Sequence, residues 1–290
     1  MHLSLRHRVS VDKLENKFGG AELWPSVPHP KKQRGRLSSF CSRITSLLPL
    51  LAFCFLTACG GGGGSSSPVS PPPSAPSSGT VPLYTVRSGV WVVMGSSTAA
   101  GNGAPPGKGW VAVLGQTLSD RGIQVVNIAR AGTVTYSGLS SSTTPTPNRP
   151  APDPAINIDQ ALSRKPVALL LAYPTNDTGL GYSLDETVNN LMAIRATALV
   201  SSVPVMVLST QPRNLPDAQR AMLKDINVRL ASEVGPCFVN VYDSLAGPDG
   251  RLLPGYDSGD GIHPNEAGHR IIAMVVQTAV ENAKCISVVR

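Results

Sequence analysis

Five short apolar runs mark the latter part of the chain, at residues 90–94, 124–128, 167–172, 204–208 and 238–241. Each is rich in Val, Ile and Leu with few polar breaks, the pattern of strands buried on both faces. Stretches of helical length separate them or follow the last, at residues 110–121, 183–200, 216–234 and 264–283. The 183–200 stretch opens with Ser183, Leu184, Asp185 and Glu186, a capping-box pattern. In the 264–283 stretch Ala267, Ile271, Ile272, Met274 and Val275 recur at helical spacing. Alternating strands and helices predict an α/β fold: a three-layer α/β/α sandwich with a five-stranded parallel sheet. In such sheets chemistry gathers at the carboxyl ends of the strands. Residues 133–154, rich in Ser, Thr and Pro and without periodicity, read as one long loop. Loops of that length are usually functional or mobile, and this one is expected to border a pocket.

A different apolar run occupies residues 44–58, after Arg36 and Arg43. It is shorter than the roughly 20 residues a membrane span needs, and it contains Pro49. A basic flank, a short apolar run and a small-residue end make a secretory signal. The run closes on Leu56, Thr57, Ala58 and Cys59, which resembles a bacterial lipobox. That resemblance implies cleavage before Cys59, lipidation of its sulfur and tethering to a membrane, which acyl chains on one residue sustain when there are two or more. Gly60 replaces the Asp associated with inner-membrane retention, so the resemblance favours the outer membrane, facing the periplasm or the exterior. Residues 59–80 are Gly-, Ser- and Pro-rich spacer. The chain thus divides into a leader (1–58), a lipidated Cys with its linker (59–80) and a folded domain (81–290).

Charge follows the same division. The net charge is +7, but residues 1–58 carry nine Lys/Arg against three acidic residues, and the remainder sixteen against fifteen. The basic balance therefore belongs to the leader, and the folded part has no basic stripe that would suit a nucleic acid. Cys41 and Cys54 go with the leader. Cys237 and Cys285 remain, and an oxidising compartment allows either a disulfide or two separate buried thiols. The spacing of His and Cys suggests no metal site. No cofactor is expected, and a monomer is.

Four loop blocks follow the predicted strands. They contain Gly95-Ser96-Ser97, Asn127 to Gly132, Thr175-Asn176-Asp177, and Asp260-Gly261-Ile262-His263. Their order and content resemble the SGNH (GDSL) hydrolase family over about residues 88–284. The resemblance implies a serine esterase in which Ser97 is the nucleophile, His263 the base and Asp260 its partner. Ser97, Gly132 and Asn176 would form the oxyanion hole. The chemistry needs these groups: a Ser hydroxyl is a weak nucleophile without an adjacent base, and the anion formed during acyl transfer needs aimed donors. The implied substrate is a small-molecule or glycan ester with a short acyl or acetyl group. A glycan-binding lipoprotein without catalysis is the alternative on the same fold.

Two positions depart from the family pattern. Ser96 stands where an Asp usually precedes the nucleophile, which leaves two adjacent serines to choose between. Pro174 stands where a Gly usually opens the third block. Other motifs do not fit. No Gly-x-Ser-x-Gly elbow surrounds Ser97, and residues 101–109 lack the Gly and the hydroxyl that a phosphate loop requires.

Overall fold

The computed structural model describes residues 83–289 with the exception of Pro174. The leader, Cys59, the linker and Pro174 therefore lie outside the described residues. Strand β1 (Tyr84–Arg87) leads within two residues into β2 (Val90–Gly95). Helices α1 (Ser97–Ala100) and α2 (Trp110–Leu118) follow, then β3 (Gln124–Asn127). Two short helices, α3 (Thr135–Gly138) and α4 (Ile158–Ser163), precede β4 (Ala168–Ala172). Next come α5 (Asn176–Gly179), α6 (Leu184–Val200), β5 (Val205–Leu208) and α7 (Asp217–Val234). The chain closes with β6 (Phe238–Val239), α8 (Glu266–Glu281) and β7 (Ile286–Val289).

The five central strands are parallel in the order β3-β2-β4-β5-β6. Helices α2 and α8 pack together, and α6 packs on α7, making the outer layers of an α/β/α sandwich. The middle of the sheet explains itself: every residue of β4, Ala-Leu-Leu-Leu-Ala, is buried. Burying each of those leucines stabilises the fold by about 1.5–3 kcal/mol. The strand order reverses direction between β2 and β4, and crevices for ligands form at such a switch point.

The predicted runs are strands, with shorter ends in places. The run at 238–241 is a strand only over Phe238–Val239, because Val241 and Tyr242 turn away to bond the Ser209 hydroxyl. Residues 119–121 leave α2 as a 3-10 turn that ends at Gly122. The predicted capping box is present at Ser183 and Glu186.

The segment 133–154 is not a free loop. It contains α3, and Arg130 meets Asp153 at 2.5 Å. Arg149 meets Glu186 at 2.6 Å and lies 4.0 Å above the Tyr182 ring. The Arg149 bond holds the Glu186 carboxyl down at about 2 against the effect of burial.

A second, two-stranded sheet was not anticipated. In it β1 pairs with β7 in parallel, Tyr84 opposite Ile286. Cys237 and Cys285 are joined by a disulfide, which links the start of β6 to the start of β7.

Candidate active site

Ser97 is the first residue of α1, one residue beyond the end of β2. Its N–H therefore has no acceptor within the helix. The segment after β3 returns to the same place: the Arg130 N–H and the Thr133 hydroxyl both donate to the Gly95 carbonyl. Gly132 follows with φ +79, and a Cβ there would meet nothing within 4 Å. A left-handed backbone, not crowding, calls for glycine at this position.

Asn176 begins α5, after β4. Its Nδ2 donates to the Thr133 carbonyl at 2.9 Å, while its Oδ1 accepts from Arg213 Nη1 at 3.1 Å. A carboxamide nitrogen has two N–H groups, so one remains for a substrate. The next residue, Asp177, is fully buried and accepts from the Thr135 N–H and hydroxyl. Burial pushes its carboxyl up to about 6 despite those bonds.

Asp260 and His263 share one loop before α8. The His263 Nδ1 lies 2.6 Å from Asp260 Oδ2, and its Nε2 lies 2.8 Å from Ser97 Oγ. Ser97 rather than Ser96 is the serine in reach. Burial raises the Asp260 carboxyl, but the His263 N–H, the imidazole and the Ile262 N–H more than offset it, leaving it at about 2. An ionised carboxylate only accepts, so Nδ1 donates to it and Nε2 is left to accept the Ser97 proton.

The loop itself is built from both sides. Asp257 Oδ1 accepts the N–H groups of Gly259 and Gly261. Gln211 donates to the Ile262 carbonyl at 2.7 Å, and the Asn214 N–H to that of Gly261 at 2.7 Å. The loop after β5 thus grips the Asp260–His263 loop through Gln211 and Asn214, and the Asn176 side chain through Arg213.

None of these supporting residues was singled out in the sequence. Nor was Gly103, where a Cβ would meet the Pro264 carbonyl oxygen at 2.2 Å and His263 Cβ at 2.9 Å. His269 secures that same stretch. Its Nδ1 accepts from the Trp110 N–H, so its Nε2–H donates to the Asn102 carbonyl at 2.8 Å. It is fully buried, and burial lowers its pKa, favouring the neutral ring this arrangement requires. The one signal available was the glycine-rich composition of residues 101–109.

A cavity of ≈ 210 Å³ is lined by Gly132, Asn176, Gly179, Leu180 and Arg213. Residues 133–154 do not line it. Larger depressions of ≈ 650 and ≈ 700 Å³ lie along α7 and β6 and along α2 and β3. None of the three is lined by Ser97, Asp260 or His263, but only the ≈ 210 Å³ cavity is lined by Gly132 and Asn176, so chemistry rather than size identifies the site. Among the described residues no group of three His, Cys, Asp or Glu side chains is placed to hold a metal ion.

Fold and site together define an α/β/α protein of the SGNH-hydrolase type. Residues 93–271 match the model of the GDSL-like lipase/acylhydrolase family, and the chain belongs to that family. Similar solved structures include TesA, at 22% identity and a TM-score of 0.53, over 67% of this chain and 99% of that one. The psychrotrophic esterase EstA from Pseudoalteromonas sp., in a structure inhibited by monoethylphosphonate, is 16% identical with a TM-score of 0.52, over 66% and 96%. A member of the lipolytic protein G-D-S-L family from Veillonella parvula is 18% identical with a TM-score of 0.52, over 65% and 96%. These likenesses concern the fold. No curated protein matches the chain in sequence.

Proposed function

We propose that the protein is a serine esterase that cleaves short-chain carboxylic esters through an acyl-serine intermediate. The observation that carries this reading is the continuous chain from Ser97 Oγ through the His263 ring to Asp260, with links of 2.8 and 2.6 Å. His263 Nε2 takes the hydroxyl proton as Ser97 Oγ attacks the carbonyl carbon. Asp260 fixes the tautomer and stabilises the imidazolium. The negative oxygen is met by the N–H groups of Ser97 and Gly132 and by the free N–H of Asn176, donors of a kind worth about 10²–10³ in rate each. The imidazolium then protonates the departing alcohol. Water, deprotonated by the same ring, attacks the acyl-serine and releases the acid. The ≈ 210 Å³ cavity favours short acyl groups, being smaller than the roughly 300–1,000 Å³ of pockets for drug-sized ligands.

The test is release of p-nitrophenol from p-nitrophenyl acetate. Ser97→Ala is expected to lower turnover by about 10⁴-fold or more while leaving the melting temperature in place. Turnover that survives in Ser97→Ala and disappears in Ser96→Ala would move the nucleophile. No turnover in the parent protein, on this or longer esters, would favour the glycan-binding alternative.

The leader supports an envelope lipoprotein, tethered through Cys59 and facing the periplasm or the exterior. This rests on residues 44–59. Among the described residues no helix is long and apolar enough to cross a membrane.

A further inference from the structure

Arg213 sits at the edge of the cavity beside the oxyanion donors, and its guanidinium is underused. Of its five N–H donors, Nη1 meets Asn176 Oδ1, and Nε is buried with no acceptor. Among the described residues no carboxylate lies within contact ion-pair distance of it, whereas Arg149 and Arg220 find Glu186 and Asp217; the Asp260 carboxylate attracts it only from farther off. A half-buried guanidinium stays charged, and leaving it without a contact partner of opposite charge costs free energy that an arriving anion would recover. It also lines the same small cavity as Gly132 and Asn176. Any group it meets is therefore within a few bonds of the carbonyl held there.

We propose that Arg213 forms an anion subsite, and that the preferred substrate is a short ester carrying a carboxylate or a similar negative group close to its carbonyl. This rests on the esterase reading given above. The Arg213–Asn176 bond couples the two functions, since the guanidinium that holds the substrate's anion also sets the carboxamide that meets its oxyanion.

The experiment compares isosteric ester pairs followed by proton release at constant pH. Monomethyl succinate against methyl isocaproate places the anion on the acyl side. Acetoxyacetate against isobutyl acetate places it on the alcohol side. In the full-length protein one anionic ester is expected to exceed its neutral counterpart in kcat/KM by about 10-fold or more, the worth of a charge-assisted hydrogen bond. Which pair shows the difference places the anion. Arg213→Met should erase that ratio mainly through KM, and Arg213→Lys should restore part of it. Equal losses of kcat on charged and neutral esters would mean that Arg213 only orients Asn176, and would overturn the subsite. Equal use of both members of each pair by the parent protein would do the same.

A binding arm is independent of turnover. Calorimetric titration of Ser97→Ala with the two anionic esters should show binding by at least one that is lost on adding Arg213→Met. Binding that survives the second substitution, or no binding of either ester, overturns the subsite whether or not esters are hydrolysed. Absent hydrolysis with Arg213-dependent binding would instead remove only the esterase reading.

Discussion

At the scale of single residues, the site depends on one close approach that no motif announces. Gly103 has φ +92, and the space a Cβ would take there is filled by Pro264 and His263. Gly103→Ala would push a methyl group into the Pro264 carbonyl and strain a left-handed backbone by about 1–2 kcal/mol. The His263 ring would move off Ser97, and misplacement by about 1 Å can cost on the order of 10²-fold. The expected outcome is a fall of that size in kcat on p-nitrophenyl acetate with little change in KM. An unchanged kcat would show that the ring tolerates the added methyl. Ser97, Gly132, Asn176, Asp260 and His263 were legible because each sits in a short block whose order along the chain is informative. Gly103 and Arg213 were not, because their meaning lies in contacts across distant parts of the chain. In sequence Gly103 is one more glycine in a turn-rich run, and Arg213 a charge in a loop.

At the scale of elements, the long helices and the five central strands could be read from periodicity, since burial on one or both faces leaves a pattern. Strands β1 and β7 could not. They are short, only partly buried and paired with each other rather than with the main sheet. The pairing of Cys237 with Cys285 was equally open in the sequence, since either thiol could have been buried alone. The disulfide spans 48 residues, and within that span lie the Asp260–His263 loop and α8. Closing a loop of that length restricts the unfolded chain by about 4 kcal/mol on the chain-entropy estimate. Replacing both cysteines by Ala should lower the melting temperature by about 10 °C, as measured by circular dichroism with and without reductant. Esterase activity at 25 °C should be largely kept, because the bond lies at the starts of β6 and β7 whereas Ser97 lies beyond the end of β2. Loss of activity without loss of stability would mean that the bond positions the catalytic loop.

At the scale of the whole molecule, stability should carry the mark of two carboxyl groups that pull in opposite directions with pH. The folded pKa of Asp177 is raised from 3.8 to about 6. Folding therefore takes up a proton between those values, and this group's contribution is fully present below about 3.8 and lost as pH rises through 6. Its size is about 3 kcal/mol. Glu186, lowered from 4.5 to about 2, contributes above 4.5 and loses that contribution as pH falls toward 2. Denaturant unfolding of the parent protein should show a decline in stability from pH 4 to pH 7 that Asp177→Asn flattens. An identical slope in the variant would assign the decline to other groups. The sheet order also bears on how the molecule stands up to handling by its leading end. The chain enters through β1, whose partner β7 is locked to β6 by the disulfide. A pull on the segment before Leu83, directed along β1, would shear the β1–β7 ladder and pass sideways to the far edge of the sheet before it stretched β2. Were the chain held through Cys59 as proposed, tension would load the β1–β7 ladder, next to the start of β2, before it reached Ser97 beyond that strand's other end.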